Sequence, residues 1–173
     1  MVLKKKNISV EMDLLDSQID VLAYNVESLK NKILRLDMTR KLMGKSLEAI
    51  FRIDIVGGVA KAIPIKLALF QFYLRRLIRK SSSYIEDSFL VDTKNQKIRV
   101  KTFMITRKRV PRTIRGSIRK KANEVIIEFC KGRDYEDFFK AVLSNSIQKD
   151  IAAKAKKIYP LAVCEIKSVS VEK

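Results

Sequence analysis

The side chains best equipped for chemistry run from Thr106 to Lys121, in the stretch TRKRVPRTIRGSIRKK. It carries Arg107, Lys108, Arg109, Arg112, Arg115, Arg119, Lys120 and Lys121, and no carboxylate. Guanidinium forks match phosphate oxygens bidentately, so a run this basic calls for a polyanionic partner. A second cluster, Arg75, Arg76, Arg79 and Lys80, lies upstream, and Lys4, Lys5 and Lys6 open the chain as a short basic arm. A different chemistry could come from Glu11, Asp13, Asp16 and Asp20, whose carboxylates could chelate magnesium. Such an ion usually draws further ligands from elsewhere in a fold, and nothing in the sequence specifies them. The plainer reading is an exposed acidic segment that pairs with the protein's own cations, so no metal site is assigned.

Other chemistries lack their residues. Histidine is absent, which removes the commonest general base and the commonest zinc ligand. Gly57-Gly58 lacks the spacing of a nucleotide-binding loop, and there is no nucleophile elbow, CxxC or HExxH. No catalytic residue and no cofactor is therefore expected. Cys130 falls on the apolar side of a helical pattern and Cys164 in a strand-like run. Both suit buried thiols in a reducing cytoplasm.

Lys and Arg total 37 against 19 acids, a formal charge of +18. That exceeds the net charge of about 2–8 suited to a small soluble domain, and self-repulsion on this scale is relieved by bound nucleic acid or an anionic surface. No apolar run approaches the roughly 20 residues of a spanning helix, and the opening MVLKKK precedes no signal-like apolar segment. Membrane association is not expected. At 173 residues, the chain suits one domain with a substantial core.

The elements that must position these groups follow from periodicity. Residues 1 to about 24 are the least legible and receive no element. ILRLDM, from Ile33 to Met38, reads as a short strand. Leu47 to Ile55 alternates as a half-buried strand, Gly57-Gly58 suits a tight hairpin turn, and Val59 to Leu67 returns. Pro64 within that return predicts an edge position or a bulge. Leu69 to Lys80 switches to helical period, with Phe70, Leu74 and Leu77/Ile78 as its stripe. Its terminal cations also suit the helix dipole.

Tyr84 to Asp92 and Lys97 to Arg107 read as strands around Thr93–Gln96. Lys97, Arg99, Lys101 and Phe103 share one face of the second. That face could meet RNA by phosphate contact and stacking, or could be a solvated strand with one core aromatic. From Ile114 the helical positions Ile118, Ala122, Val125, Ile126 and Phe129 form an apolar arc. Arg112, Arg115, Arg119 and Asn123 fall on the adjoining arc, with Pro111 as first helical residue and Gly132 as C-terminal cap. This predicts a docked helix that presents cations to a polyanion; a solvated cationic face is the bland alternative. Asp134 caps a helix carrying Tyr135, Phe138, Phe139, Val142 and Leu143. Ser146 caps another with Ile147, Ile151, Ala155 and Ile158, ended by Pro160. Leu161 to Val171 reads as a returning strand. This order predicts an α+β fold with a mainly antiparallel β-sheet or barrel-like core flanked by helices.

YLRRLIRKSSSYIEDSF at Tyr73–Phe89, IRVKTFMITRKRV at Ile98–Val110, RGSIRK at Arg115–Lys120 and AKKIYPLAVCEIKSVSV at Ala155–Val171 carry a family likeness. From roughly Leu29 onward the chain resembles the small-subunit ribosomal protein family of archaea and eukaryotes, e-type S-one or S-three-A-e. Ile158-Tyr159-Pro160-Leu161 followed by a strand is its most specific mark. The resemblance implies a non-catalytic α+β protein on the small-subunit platform near the mRNA exit, in the cytoplasm. It implies ribosomal RNA and neighbouring small-subunit proteins as partners, with mRNA or initiation factors as further candidates, and no homo-oligomer. Residues 1–28 depart from the family's Trp-Tyr opening and form a separate arm and divergent segment. Residues 29–173 form the single domain. The end just after the last strand is expected of an archaeal form.

The expected RNA contacts are Arg107, Lys108, Arg109, Arg112, Arg115, Arg119 and Lys120. Arg75, Arg76, Arg79 and Lys80 add a second patch, and Lys4–Lys6 a flexible third. A free RNA- or DNA-binding factor acting off the ribosome fits the charge pattern as well. An enzyme acting on nucleic acid would need Asp13, Asp16 and Asp20 as its catalytic group.

Overall fold

The structure is a computed structural model and describes residues 5–42 and 44–172. The strands are β1 (Lys6–Met12), β2 (Ser17–Ala23), β3 (Ile33–Asp37), β4 (Leu47–Val56), β5 (Val59–Leu69), β6 (Tyr84–Asp92), β7 (Lys97–Thr106) and β8 (Leu161–Val171). The helices are α1 (Gln71–Leu77), α2 (Arg112–Cys130), α3 (Tyr135–Leu143) and α4 (Ser146–Lys156). This is the expected α+β composition. All strand pairs are antiparallel except β1 with β5, which meet in parallel at Val10↔Ala60 and Glu11↔Lys61.

β5 is the strand on which the sheet forks. One edge pairs along its length with β4, which in turn pairs β3. The other edge is shared: β1 and its hairpin partner β2 take one end, and β8, followed by β7 and β6, takes Lys66–Ala68. Pro64 falls between these two partners, where its missing N–H removes no ladder bond on that edge. On the β4 side the register shifts at Ile50/Phe51, so that Phe51 opposes Pro64 while Ile50 opposes Lys66. The sequence allowed an edge or a bulge; the bulge is realised. Gly57 and Gly58 take φ of 62° and 84°, the positive values that a two-residue hairpin turn between β4 and β5 requires.

α2 packs on α4 and β6, α4 on β8, and α3 on α4 and β5. Phe51, Phe103, Phe138 and Phe139 are among the largest fully buried side chains, each worth about 1.5–3 kcal/mol by burial. The apolar arc of α2 is realised in Ile118, Ala122, Val125, Ile126 and Cys130, all buried. Gly132, with φ of 74°, lies one residue beyond the C-cap Lys131, as a left-handed terminator should. A buried ion pair ties three segments together. Lys45 Nζ lies 2.5 Å from Glu165 of β8 and donates to Asn145 Oδ1 in the α3–α4 turn at 2.7 Å.

Several expectations are corrected. The helix read over Leu69–Lys80 is only Gln71–Leu77. Its N-cap is Phe70, which has no side-chain oxygen to offer, and Ile78 is already extended. Arg79 and Lys80 therefore leave the helix, and dipole complementarity does not explain them. Pro111 is the N-cap of α2, one residue outside it. Asn145, left-handed at φ 60°, caps α4 in place of Ser146, and Ile158 lies beyond α4 at 40% exposure. Phe103 is 1% exposed. From Thr102 to Thr106 every residue of β7 is buried, so the strand is covered on both faces and the aromatic serves the core. Residues 6–23, left without elements, form a hairpin that puts Val10, Met12 and Ala23 into the core.

Candidate nucleic-acid interface

The sequence separates the Arg75–Lys80 and Arg107–Arg109 clusters by a hairpin; the fold brings them together. β6 begins and β7 ends at the same end of their antiparallel ladder, where Tyr84 opposes Ile105. The segments flanking that end are tied by a compact polar lock. Thr106 N–H donates to the Ser83 carbonyl at 2.9 Å, and Ser83 N–H donates to Thr106 Oγ1 at 3.1 Å. Thr106 Oγ1 donates onward to the Lys108 carbonyl at 2.7 Å, and Val110 N–H donates to Ser83 Oγ at 3.2 Å. Thr106 is fully buried while Ser83 is half-buried, so these bonds are partly shielded from water. Arg109 completes the lock: its Nη2 and Nε donate to the Lys80 carbonyl at 3.0 and 3.3 Å.

Between the locked segments lies a cleft of about 520 Å³ lined by Arg76, Arg79 and Arg107, with Ser81, Ser82, Thr106 and the start of β8 at Leu161–Val163 completing its wall. All three arginines are exposed. Among the described residues the ion pairs engage Lys45, Lys61, Lys97, Arg99, Arg119, Lys121, Lys154 and Lys167. None involves a cleft arginine, nor Arg75, Lys80, Lys108, Arg109, Arg112, Arg115 or Lys120. Like charges held this close without a counter-ion raise the local potential and favour an incoming anion. Serine hydroxyls beside them add neutral hydrogen-bond partners for phosphate oxygens.

The other expected contacts are dispersed. Arg112 opens α2 and Lys120 lies exposed along it. Arg115 is half-buried, with an Nε that finds no partner. Arg119 and Asn123 turn toward the protein itself: Asn123 Nδ2 donates to Asp87 Oδ2 of β6 at 2.7 Å, and Arg119 Nε lies 4.0 Å from the same oxygen. Two of the four residues on the predicted arc, one of them a cation, are thus partnered internally. Lys6 opens β1 and is paired in the hairpin, while Lys5 sits 5.7 Å from the Tyr24 ring centre; both stand on a different arm of the sheet. Lys4 lies outside the described residues. The residues that the sequence left unnoticed are Ser81, Ser82, Ser83 and Thr106. Their signal was the serine triplet between two cationic clusters.

Glu11, Asp13 and Asp16 line a shallow recess at the β1–β2 turn, and Asp13 lies 3.9 Å from Lys61. Among the described residues no group of three or more metal-ligating side chains is assembled. Burial pushes both the Cys130 and the Cys164 thiols up to about 12, which suits packing and not nucleophilic attack. Among the described residues no helix is long and apolar enough to cross a membrane.

A family model described as the Ribosomal S3Ae family matches residues 18–173, beginning in β2, before Leu29. The chain is similar to the small ribosomal subunit protein eS1 of Saccharolobus solfataricus, with 36% identity over 102 residues, covering 58% of this chain and 49% of that protein. It is 32% identical over 124 residues to the eS1 protein of Halorubrum lacusprofundi, covering 70% and 58%. It is 29% identical over 159 residues to that of Pyrobaculum arsenaticum, covering 89% and 72%. The matches span about half the length of the first of these relatives and 58% of the second. On the family match across both arms of the sheet and all four helices, this chain belongs to the ribosomal S3Ae family.

Proposed function

We propose that this protein is a structural component of the small ribosomal subunit, held there chiefly by phosphates of ribosomal RNA seated in the Arg76–Arg79–Arg107 cleft. The observation that carries the reading is the convergence of two sequence-distant arginine clusters into one cleft with no carboxylate partner among the described residues. The names of the eS1 relatives support it. Arg112 and Lys120 extend the contact along α2, and Arg75 extends it along α1. The mechanism is neutralisation and shape-fixing of folded RNA, without base reading by a groove code. In this reading the protein sits in cytoplasmic ribosomes, on the platform near the mRNA exit, beside other small-subunit proteins. mRNA and initiation factors are candidate passing partners.

The test is where the protein sediments in a gentle lysate, followed by a high-salt wash. Stoichiometric migration with small subunits that survives the wash is expected. Migration at the top of the gradient, or release at moderate salt, would overturn the assignment and leave a free nucleic-acid-binding factor.

A further inference from the structure

The electrostatic cleft leaves one neighbouring feature unexplained. Phe72 is a large aromatic on the surface, 55% exposed. It stacks on Phe70, with ring centres 5.4 Å apart and planes inclined by 20°. Neither ring belongs to the hydrophobic core or to the half-buried shell packed against it; the adjacent Tyr73 and Leu74 do that work. Two rings stacked in this way hold each other's orientation, so the outer face of Phe72 is a fixed platform and not a loose side chain. Phe72 and Arg76 lie four residues apart on α1, and Arg75 lies three apart, so all are neighbours on one face. Arg76 is also a wall of the arginine cleft.

We propose that Phe72 is a stacking platform for an unpaired RNA base whose own or adjacent phosphate occupies the cleft at Arg76. A flat apolar face beside Arg75 and Arg76 on α1, with no carboxylate paired with either among the described residues, is poorly suited to an apolar protein segment. It suits a ligand that is both flat and anionic. A splayed nucleotide has that composition: its base covers an aromatic face while its phosphate meets guanidinium. Paired bases are stacked within their helix and cannot reach the ring, so the site selects single-stranded or bulged RNA. Every base has a π-face, so it does so without sequence preference. This rests on the RNA-binding reading and adds to it a residue and a strand state.

The test compares two RNA hairpins of equal length, one fully paired and one with a 2-aminopurine bulge, titrated against the full-length protein and its F72A, F72W and R107A variants. Phe72 is surface-exposed, so F72A is expected to melt with the wild type. F72A should weaken binding of the bulged hairpin by about 5- to 150-fold, the range for loss of one base–aromatic stack, and leave the paired hairpin unchanged. F72W should restore it. Wild type should quench the 2-aminopurine fluorescence and F72A should not. If F72A binds both hairpins as wild type does while R107A weakens both, the platform is overturned and the phosphate cleft stands; Phe72 would then be free to meet a protein. If wild type binds neither hairpin, both readings fail.

Discussion

On the β6–β8 surface, Lys97 lies 3.6 Å from Asp92, Lys167 lies 3.1 Å from Glu86, and Arg99 hydrogen-bonds Glu172. Asp87 there takes Asn123 and the edge of Arg119. Where β7 runs toward α2, Arg76, Arg79 and Arg107 share a cleft, and among the described residues no acid is paired with any of them. Both regions are cation-rich in sequence. They differ in whether the fold has supplied the counter-charge. Where it has, the cation is part of the protein's own surface and contributes little to recognition. Where it has not, the partner must supply it. Net charge announces that an anion is needed; the pattern of ion pairs locates where.

Breaking a charge that the fold itself uses should have the largest effect on stability. Lys45→Ala strands Glu165 in a largely buried site and removes the donor to Asn145. It should cost about 3–5 kcal/mol, read by chemical denaturation. The complementary change, R76A/R79A/R107A, should leave the denaturation midpoint unchanged or slightly raised, since it removes self-repulsion. It should weaken RNA binding on the order of 100-fold in a filter or anisotropy assay.

Thr106→Val sharpens the contrast between holding the cleft and forming it. It orphans the Ser83 N–H and the Lys108 carbonyl, at about 1–3 kcal/mol. It should lower both stability and RNA affinity, because the two arginine clusters are no longer fixed side by side. Lys97→Ala should do neither by more than about 0.5 kcal/mol, as its pair with Asp92 is largely exposed to solvent.

Acidification separates the regions last. The hydrogen bond from Arg99 holds the Glu172 carboxyl below its usual range, and that from Lys154 does the same for Glu128. Depressed carboxylates stabilise the fold above their unfolded value, and that contribution is lost as pH falls through the folded one. Stability should therefore decline gently below pH of about 4.5. No carboxylate lines the arginine cleft, so the number of RNA phosphates engaged there should be unchanged between neutrality and pH of about 5.

Most strands and the α2–α4 helices were legible because their apolar residues repeat with period two or with helical period, and the Gly57-Gly58 turn because glycine alone tolerates both φ values. The N-terminal hairpin was not. Asn7 to Met12 does alternate polar and apolar, but the run is short and lies between a basic arm and a cluster of carboxylates. Its buried residues Val10, Met12 and Ala23 join the core through a long-range parallel contact of β1 with β5 that no local pattern announces. Phe103 misled because alternation assumes one covered face, whereas the end of β7 is covered on both. The cationic composition of the site was plain, but its membership was not. Asp87 lies far upstream of Arg119 and Asn123 and claims both by tertiary packing, while Thr106 and Ser83 act through backbone bonds that leave no periodic trace.

The salt dependence of RNA affinity tests the comparison most directly, measured for wild type, R76A/R79A/R107A and K97A/R99A/K167A. Each phosphate contact contributes about 0.7–0.9 to the slope of log affinity against log salt. The cleft variant should lose about 2–3 from that slope and the β6–β8 variant almost none. Equal losses from the two variants would mean that net charge alone governs binding and that the cleft has no special role.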